Sequence, residues 1–288
     1  IKSPKELDLR IKFVIITPLL SVLSVFTLFG CDNGVNTTTI CKNNPELCDD
    51  LHRDSWCKYE KADLIKQRYV LKNSPSPSGE QVYQQLINLE NYNKCIELAA
   101  GVQHILHPER TNDRAKAFGV SAQNLSQLQA TTKNNPDIYL SFYHWTRLSD
   151  VQAQARVIQA ERAGKISDPL ILAQLAAYYQ KSDNQKAMTL YFNLLETTSP
   201  EQFNPDWLLG LASLYQQQGD LEKTYLFSKA NVLMTDNTAS AQKMSALVNG
   251  NKQLEAVLTE QAQTLVVHLN RGDYASSDIR QQLHPNAQ

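Results

Sequence analysis

The sequence predicts an all-α protein, with a disulfide-stapled helical hairpin in its first half and a short stack of repeated helix pairs in its second. Three observations carry that expectation. Glycine is scarce, 10 in 288 residues, while Ala, Leu and Gln recur in long stretches without the apolar-polar alternation and β-branched richness of strands. Cysteines at 41, 48, 57 and 95 crowd one region. Residues 168–199 align with residues 205–236 at an offset of 37. At this length the chain can bury a sizeable core or stack several helical units. Its 28 basic and 29 acidic residues are interspersed, giving a net charge of -1. That lacks the one-sided basic field needed to neutralise phosphates, so no nucleic acid is expected as a partner.

Residues 1–30 read as an export signal. Lys2, Lys5, Arg10 and Lys12 precede an uncharged apolar run from Phe13 to Phe29, the order of a basic n-region and an h-region. The run is 17 residues and contains Thr17-Pro18, against about 20 apolar residues for a bilayer-spanning helix. It closes on Leu28-Phe29-Gly30-Cys31, which resembles the lipobox of bacterial lipoproteins. Phe29 departs from that pattern, whereas Leu28, Gly30 and Cys31 fit it. The resemblance implies cleavage before Cys31 and acylation of its sulfur and new amine, with several chains needed for stable anchoring. A retained transmembrane anchor is the alternative. Asp32 follows the cysteine, and by the enteric sorting rule that residue favours the inner membrane over the outer. Residues 31–44 are then expected to be a flexible tether on the periplasmic side.

The next region, 45–135, is expected to be helical. Pro45 suits a first turn, and Glu46, Asp49 and Asp50 favour a helix amino end, predicting a helix from Pro45 to Leu71. A second helix is expected from Glu80 to Leu106, the two separated by the Pro- and Gly-containing breaker Asn73 to Gly79. Four cysteines allow three pairings, and disulfides persist in exported chains. Cys57 and Cys95 each lie 19 residues from Ser76 at the centre of the breaker, so an antiparallel hairpin sets them at one height, within reach of the Cα separation a disulfide needs. That pairing leaves Cys41 for Cys48. A metal or redox site is the rival, but no Cys-x-x-Cys occurs.

The second half, 136–270, reads as helix pairs. At the offset of 37, Tyr178 meets Tyr215, Ser182-Asp183 meets Gly219-Asp220, and Gln185-Lys186 meets Glu222-Lys223. The phrase LASLYQQQGDLEK resembles the tetratricopeptide repeat through Ala212, Tyr215, Gly219 and Asp220, with Thr224 and Ser182 departing from it. A weaker unit starts at Pro136, with Ser149 expected to open its second helix and Gly164 to close it. A fourth covers Thr238 to Leu269 and turns at Gly250. Such units cannot bury their apolar faces alone and stack into a solenoid. By that analogy Leu172, Ala176, Tyr179, Leu209, Ser213 and Gln216 are candidates for a partner-binding groove, while Tyr178, Tyr191, Tyr215 and Trp207 belong to the core. The polar tail 271–288 is expected to be disordered.

Signals of chemistry are sparse. His104 and His107 could share a helix face and hold a metal, but Pro108 marks a helix end there and no Glu follows the first His. His52 and His144 stand alone as surface or capped core residues. No phosphate loop, nucleophile elbow or Ser-x-x-Lys motif occurs, so no enzyme and no cofactor is expected. The Leu-Phe-Gly-Cys signal, the segment CKNNPELCDDLHRDSWCKYEKADLIKQRY and the helical repeats together resemble an uncharacterised proteobacterial lipoprotein family, domain of unknown function 2989. That resemblance implies no activity. The expected function is a lipid-anchored periplasmic adaptor binding an envelope protein or peptide. The alternatives are an envelope hydrolase with a metal near His104 and His107, and a purely structural envelope lipoprotein.

Overall fold

The computed structural model describes residues 36–283, apart from 238 and 240. The export signal, Cys31 and Asp32 lie outside the described residues. Among those described there are thirteen α-helices, two short 3-10 turns and no strand, and no helix is long and apolar enough to cross a membrane. Residues 31–44 do not form a tether throughout. Asn36 caps a helix, α1 (Thr37–Asn43), by accepting from the Thr38 N–H, and Ile40 is buried against the following helices.

The expected helix from Pro45 is shorter and starts later. Pro45–Leu47 is one 3-10 turn, irregular chain follows, and α2 runs over Lys58–Lys72. Two bonds account for the break: Cys48 is tied to Cys41, and Cys57 is held in the left-handed region at φ +49° beside its bond to Cys95. Across the Pro-rich breaker, α3 (Gly79–Ala100) starts at a reciprocal capping box between Ser78 and Gln81. It ends six residues earlier than expected. Pro108 is not a terminator: it occupies the first turn of α4 (Pro108–Thr132), where a missing N–H costs nothing. Helices α2, α3 and α4 pack in sequence around Leu64, Leu89, Tyr92, Ile96 and Ala117.

Beyond α4 the chain forms successive helical hairpins. They are α5 (Ile138–Leu148) with α6 (Val151–Arg162), α7 (Pro169–Tyr179) with α8 (Asn184–Thr197), and α9 (Asp206–Gln217) with α10 (Leu221–Met234), followed by α11 (Ala241–Leu247) and α12 (Lys252–Arg271). Aspartates cap most of these helices: Asp137, Asp150, Asp168, Asp183 and Asp220 each accept from backbone N–H groups one turn on. Ser149 therefore does not open α6. It closes α5 in the left-handed region at φ +54°, and Asp150 opens α6. The hairpins share one continuous core, in which Tyr215 stacks on Phe227 and Phe192 meets Phe227 edge-on. A smaller cluster of Leu86, Leu140 and Tyr143 joins α3 to α5.

The tail is not disordered as far as Leu283. Tyr274, Ile279 and Leu283 are buried, and a last helix, α13 (Asp278–Leu283), is fixed to α8 by Arg280 Nε donating to Glu196 Oε1 at 2.8 Å. Three apolar residues in register outweigh the polar average of the segment. Residues 284–288 lie outside the described residues.

Candidate functional site

The two disulfides, Cys41–Cys48 and Cys57–Cys95, have Cα separations of 5.7 and 5.8 Å and bracket the irregular stretch 49–56. That stretch folds inward around charged and aromatic groups. His52 is buried; its Nε2–H donates to the Trp56 carbonyl at 2.7 Å, and its Nδ1 accepts from the Tyr92 hydroxyl at 2.9 Å, which in turn accepts from the His52 N–H. This circuit requires the neutral imidazole. Burial first, and Lys61 second, lower the His52 pKa against the opposing pull of Asp54. Burial also pushes Tyr92 to about 12, so its hydroxyl stays a donor.

Asp54 anchors the outer side of the same stretch. It accepts from Arg114 Nε at 2.7 Å and Nη2 at 2.6 Å, and from the Trp56 N–H at 3.0 Å. Burial opposes its ionisation most, yet these bonds together hold its carboxyl below the usual range. Arg114, only 2% exposed, also donates to the Ala99 carbonyl and lies 5.0 Å under the Trp56 ring. Lys61 Nζ caps the His52 and Asp54 carbonyls. Every polar group here is answered by another, which fits a structural knot. Nothing local in the sequence betrays it, since Asp54 and Arg114 are 60 positions apart.

A second polar centre lies where the two halves of the molecule meet. Gln129, Lys133 and Asn134 of the α4 end, with His144, Leu148, Asp150, Val151 and Gln152, line a cleft of about 580 Å³. His144 is 1% exposed, and burial lowers its pKa. Thr132 spends its single hydroxyl proton on the Leu128 carbonyl at 2.7 Å, so at 3.0 Å it accepts from His144 Nε2–H. That is the reverse of an activated nucleophile, in which the imidazole takes the hydroxyl proton. His144 Nδ1 is then a bare acceptor with no partner among the described residues. Leu148 and Val151 stand exposed at the rim. The lining thus offers amides, the Lys133 cation, the Asp150 carboxylate and two aliphatic side chains, a combination that suits an extended peptide.

The groove expected on the repeats divides in two. Leu172, Ala176 and Tyr179 are buried inside the stack and line no groove; the Tyr179 hydroxyl donates to Glu161, and Lys186 lies over its ring. Tyr178, expected in the core, is the more exposed of that pair and meets Trp145 edge-on. Tyr178 still packs against the core. On α9, Leu209 and Gln216 are exposed and Ser213 is half-buried.

His104 and His107 sit in the loop between α3 and α4, not on one helix face. Their rings are 5.4 Å apart, His104 Nε2 faces Arg110, and His107 Nδ1 faces Glu109. Ligand atoms of Cys57, Glu60 and Cys95 gather within 4.8 Å, but the two sulfurs are bonded to each other and offer no thiolate while that bond stands.

A family described as "Protein of unknown function (DUF2989)" matches residues 28–229. The chain belongs to this family. The DUF2989 match takes in all five cysteines, the polar knot, the cleft and the hairpins as far as Lys229 within α10. Helices α11 to α13 lie beyond it. No curated protein and no solved structure matches the chain.

Proposed function

We propose that this protein is a lipid-anchored adaptor on the periplasmic side of a bacterial envelope membrane, holding a peptide segment of an envelope protein in the cleft between α4, α5 and α6. The cleft carries the proposal, because it pairs exposed aliphatic side chains, Leu148 and Val151, with the amides of Gln129, Asn134 and Gln152 and the charges of Lys133 and Asp150. Cys31 and its lipobox supply the anchor, and Asp32 favours the inner membrane. The exposed face of α9, with Leu209 and Gln216, offers further contact area. No catalytic step is assigned.

Photo-crosslinking in intact cells from a benzoylphenylalanine placed at Val151 tests this reading. A discrete partner band, reduced by Gln152→Ala in the same chain and missing from a probe at Lys165, supports it. Equal, diffuse labelling from both positions counts against it. The rival hydrolase reading of His104 and His107 requires stoichiometric bound metal that His104→Ala releases, so elemental analysis of the purified protein separates the two.

A further inference from the structure

The loop between α3 and α4 carries apolar side chains outward. Ile105 is 93% and Leu106 84% exposed, with Val102 and, on the last turn of α3, Leu98 beside them in sequence and also exposed. Values that high describe side chains projecting from the surface, not lying in a groove. The loop is nonetheless pinned: the His104 N–H donates to Thr111 Oγ1 at 2.9 Å, the Val102 N–H to the Ala99 carbonyl and the Arg110 N–H to the His107 carbonyl. The Cys57–Cys95 bond sets the start of α2 against the last turns of α3, which brings exposed Trp56 and Tyr59 to the same end.

The chain also enters at that end. Cys41 lines a small cavity with Lys61 and Ile65, whereas Asn44 accepts from Lys72 Nζ at 2.6 Å. Helix α1 therefore runs in the direction of α2, which sets its start toward the end where α2 begins. Cys31 precedes Asn36 by five positions, a reach of about 17 Å.

We propose that this tip enters the lipid bilayer, with Ile105 and Leu106 in the boundary between headgroups and acyl chains and Trp56 and Tyr59 at the interfacial level. A convex pair of aliphatic side chains, flanked by amphipathic aromatics and placed where the chain approaches its anchor, fits a lipid surface; a protein partner would call for a broader patch or a groove. The tip and Cys31 then make a two-point attachment that fixes the orientation of the hairpin stack. The second point rests on the reading of Cys31 as acylated; the insertion of the tip does not.

The experiment uses the full chain isolated from membranes and reconstituted in phosphatidylethanolamine–phosphatidylglycerol vesicles, carrying Ile105→Trp in a Trp56→Phe background and read as the difference from the same background with Ile105 intact, which subtracts the buried Trp145 and Trp207. The expected result is a blue-shifted emission, loss of intensity with brominated lipids, and shielding from aqueous iodide, all diminished by Leu106→Ser. Mass spectrometry of Cys31 on the same sample reports the anchor separately. Quenching with an unacylated Cys31 keeps the tip and removes the two-point attachment. Iodide access in vesicle-bound, acylated protein overturns the proposal. So does shielding without bromolipid quenching accompanied by a doubled mass, which would place a second copy on the tip. All three substitutions sit at exposed positions, and circular dichroism checks that the fold is retained.

Discussion

His52 and His144 are each buried as neutral imidazoles, and both pKa values are lowered chiefly by burial. Below the unfolded value of 6.5 the unfolded chain takes up protons that the folded chain refuses. The stabilising effect is thus complete above about 6.5 and is lost as pH falls toward the lowered folded values. Urea midpoints should drop between about pH 7 and pH 5, and His52→Gln or His144→Gln should flatten that slope. A slope unchanged in both variants would locate the acid sensitivity elsewhere. Arg114 makes the sharper case. Removing it leaves Asp54 an ionised carboxylate without its cation and empties the space under Trp56, so Arg114→Ala should cost about 3 to 5 kcal/mol in denaturant unfolding. Neither residue is marked by its neighbours in the sequence. The lone-histidine reading of 52 and 144 was sound as far as it went, but their partners Tyr92 and Thr132 are supplied by other helices.

Among the elements, the two disulfides close loops of different length. For sequence separations of 7 and 38, the chain-entropy relation gives about 2 and about 4 kcal/mol. Replacing Cys57 and Cys95 by Ser should therefore destabilise more than replacing Cys41 and Cys48, a ranking that equilibrium unfolding measures directly. Helix packing gives a second comparison. Gly210 of α9 lies so close to the Tyr191 ring of α8 that a methyl group would overlap it, and the Gly210 carbonyl accepts from Gln180. Gly119 of α4 faces open space. Gly210→Ala should lower stability by about 1 to 3 kcal/mol, whereas Gly119→Ala should raise it by up to about 1 kcal/mol through helix propensity. Opposite signs in thermal unfolding are the expected outcome. The cysteine pairing was legible because hairpin symmetry about Ser76 places equal arms opposite each other. The start of α2 was not, since acidic residues after Pro45 favour a helix locally and only the bonded cysteines interrupt it.

At the scale of the molecule, a stapled three-helix unit passes into a stack of hairpins, and Gly79 against Asp137 marks the join. A methyl at Gly79 would overlap the Asp137 carboxylate that caps α5, so the first residue of α3 and the first cap of the hairpins are packed as one feature. The proposed membrane attachment belongs to this scale too. Metabolic labelling with palmitate should mark the protein and fail with Cys31→Ser, and Asp32→Ser should move it toward the outer-membrane fraction. Labelling that survives Cys31→Ser would end the lipoprotein reading.

The sequence by itself determined the helical class, the paired helices of the second half, both disulfides and the family, because each follows from short-range signals: periodicity, breakers and spacing. Tertiary structure alone decided which face of each hairpin is buried, as Tyr179 shows, buried in the stack where a groove position was expected. It alone decided that the C-terminal segment docks on α8 and that His52, Asp54, Tyr92 and Arg114 converge. Those outcomes depend on helix phase and on contacts between residues tens of positions apart. Burial is a property of what arrives from elsewhere in the chain, and no local pattern encodes the arrival.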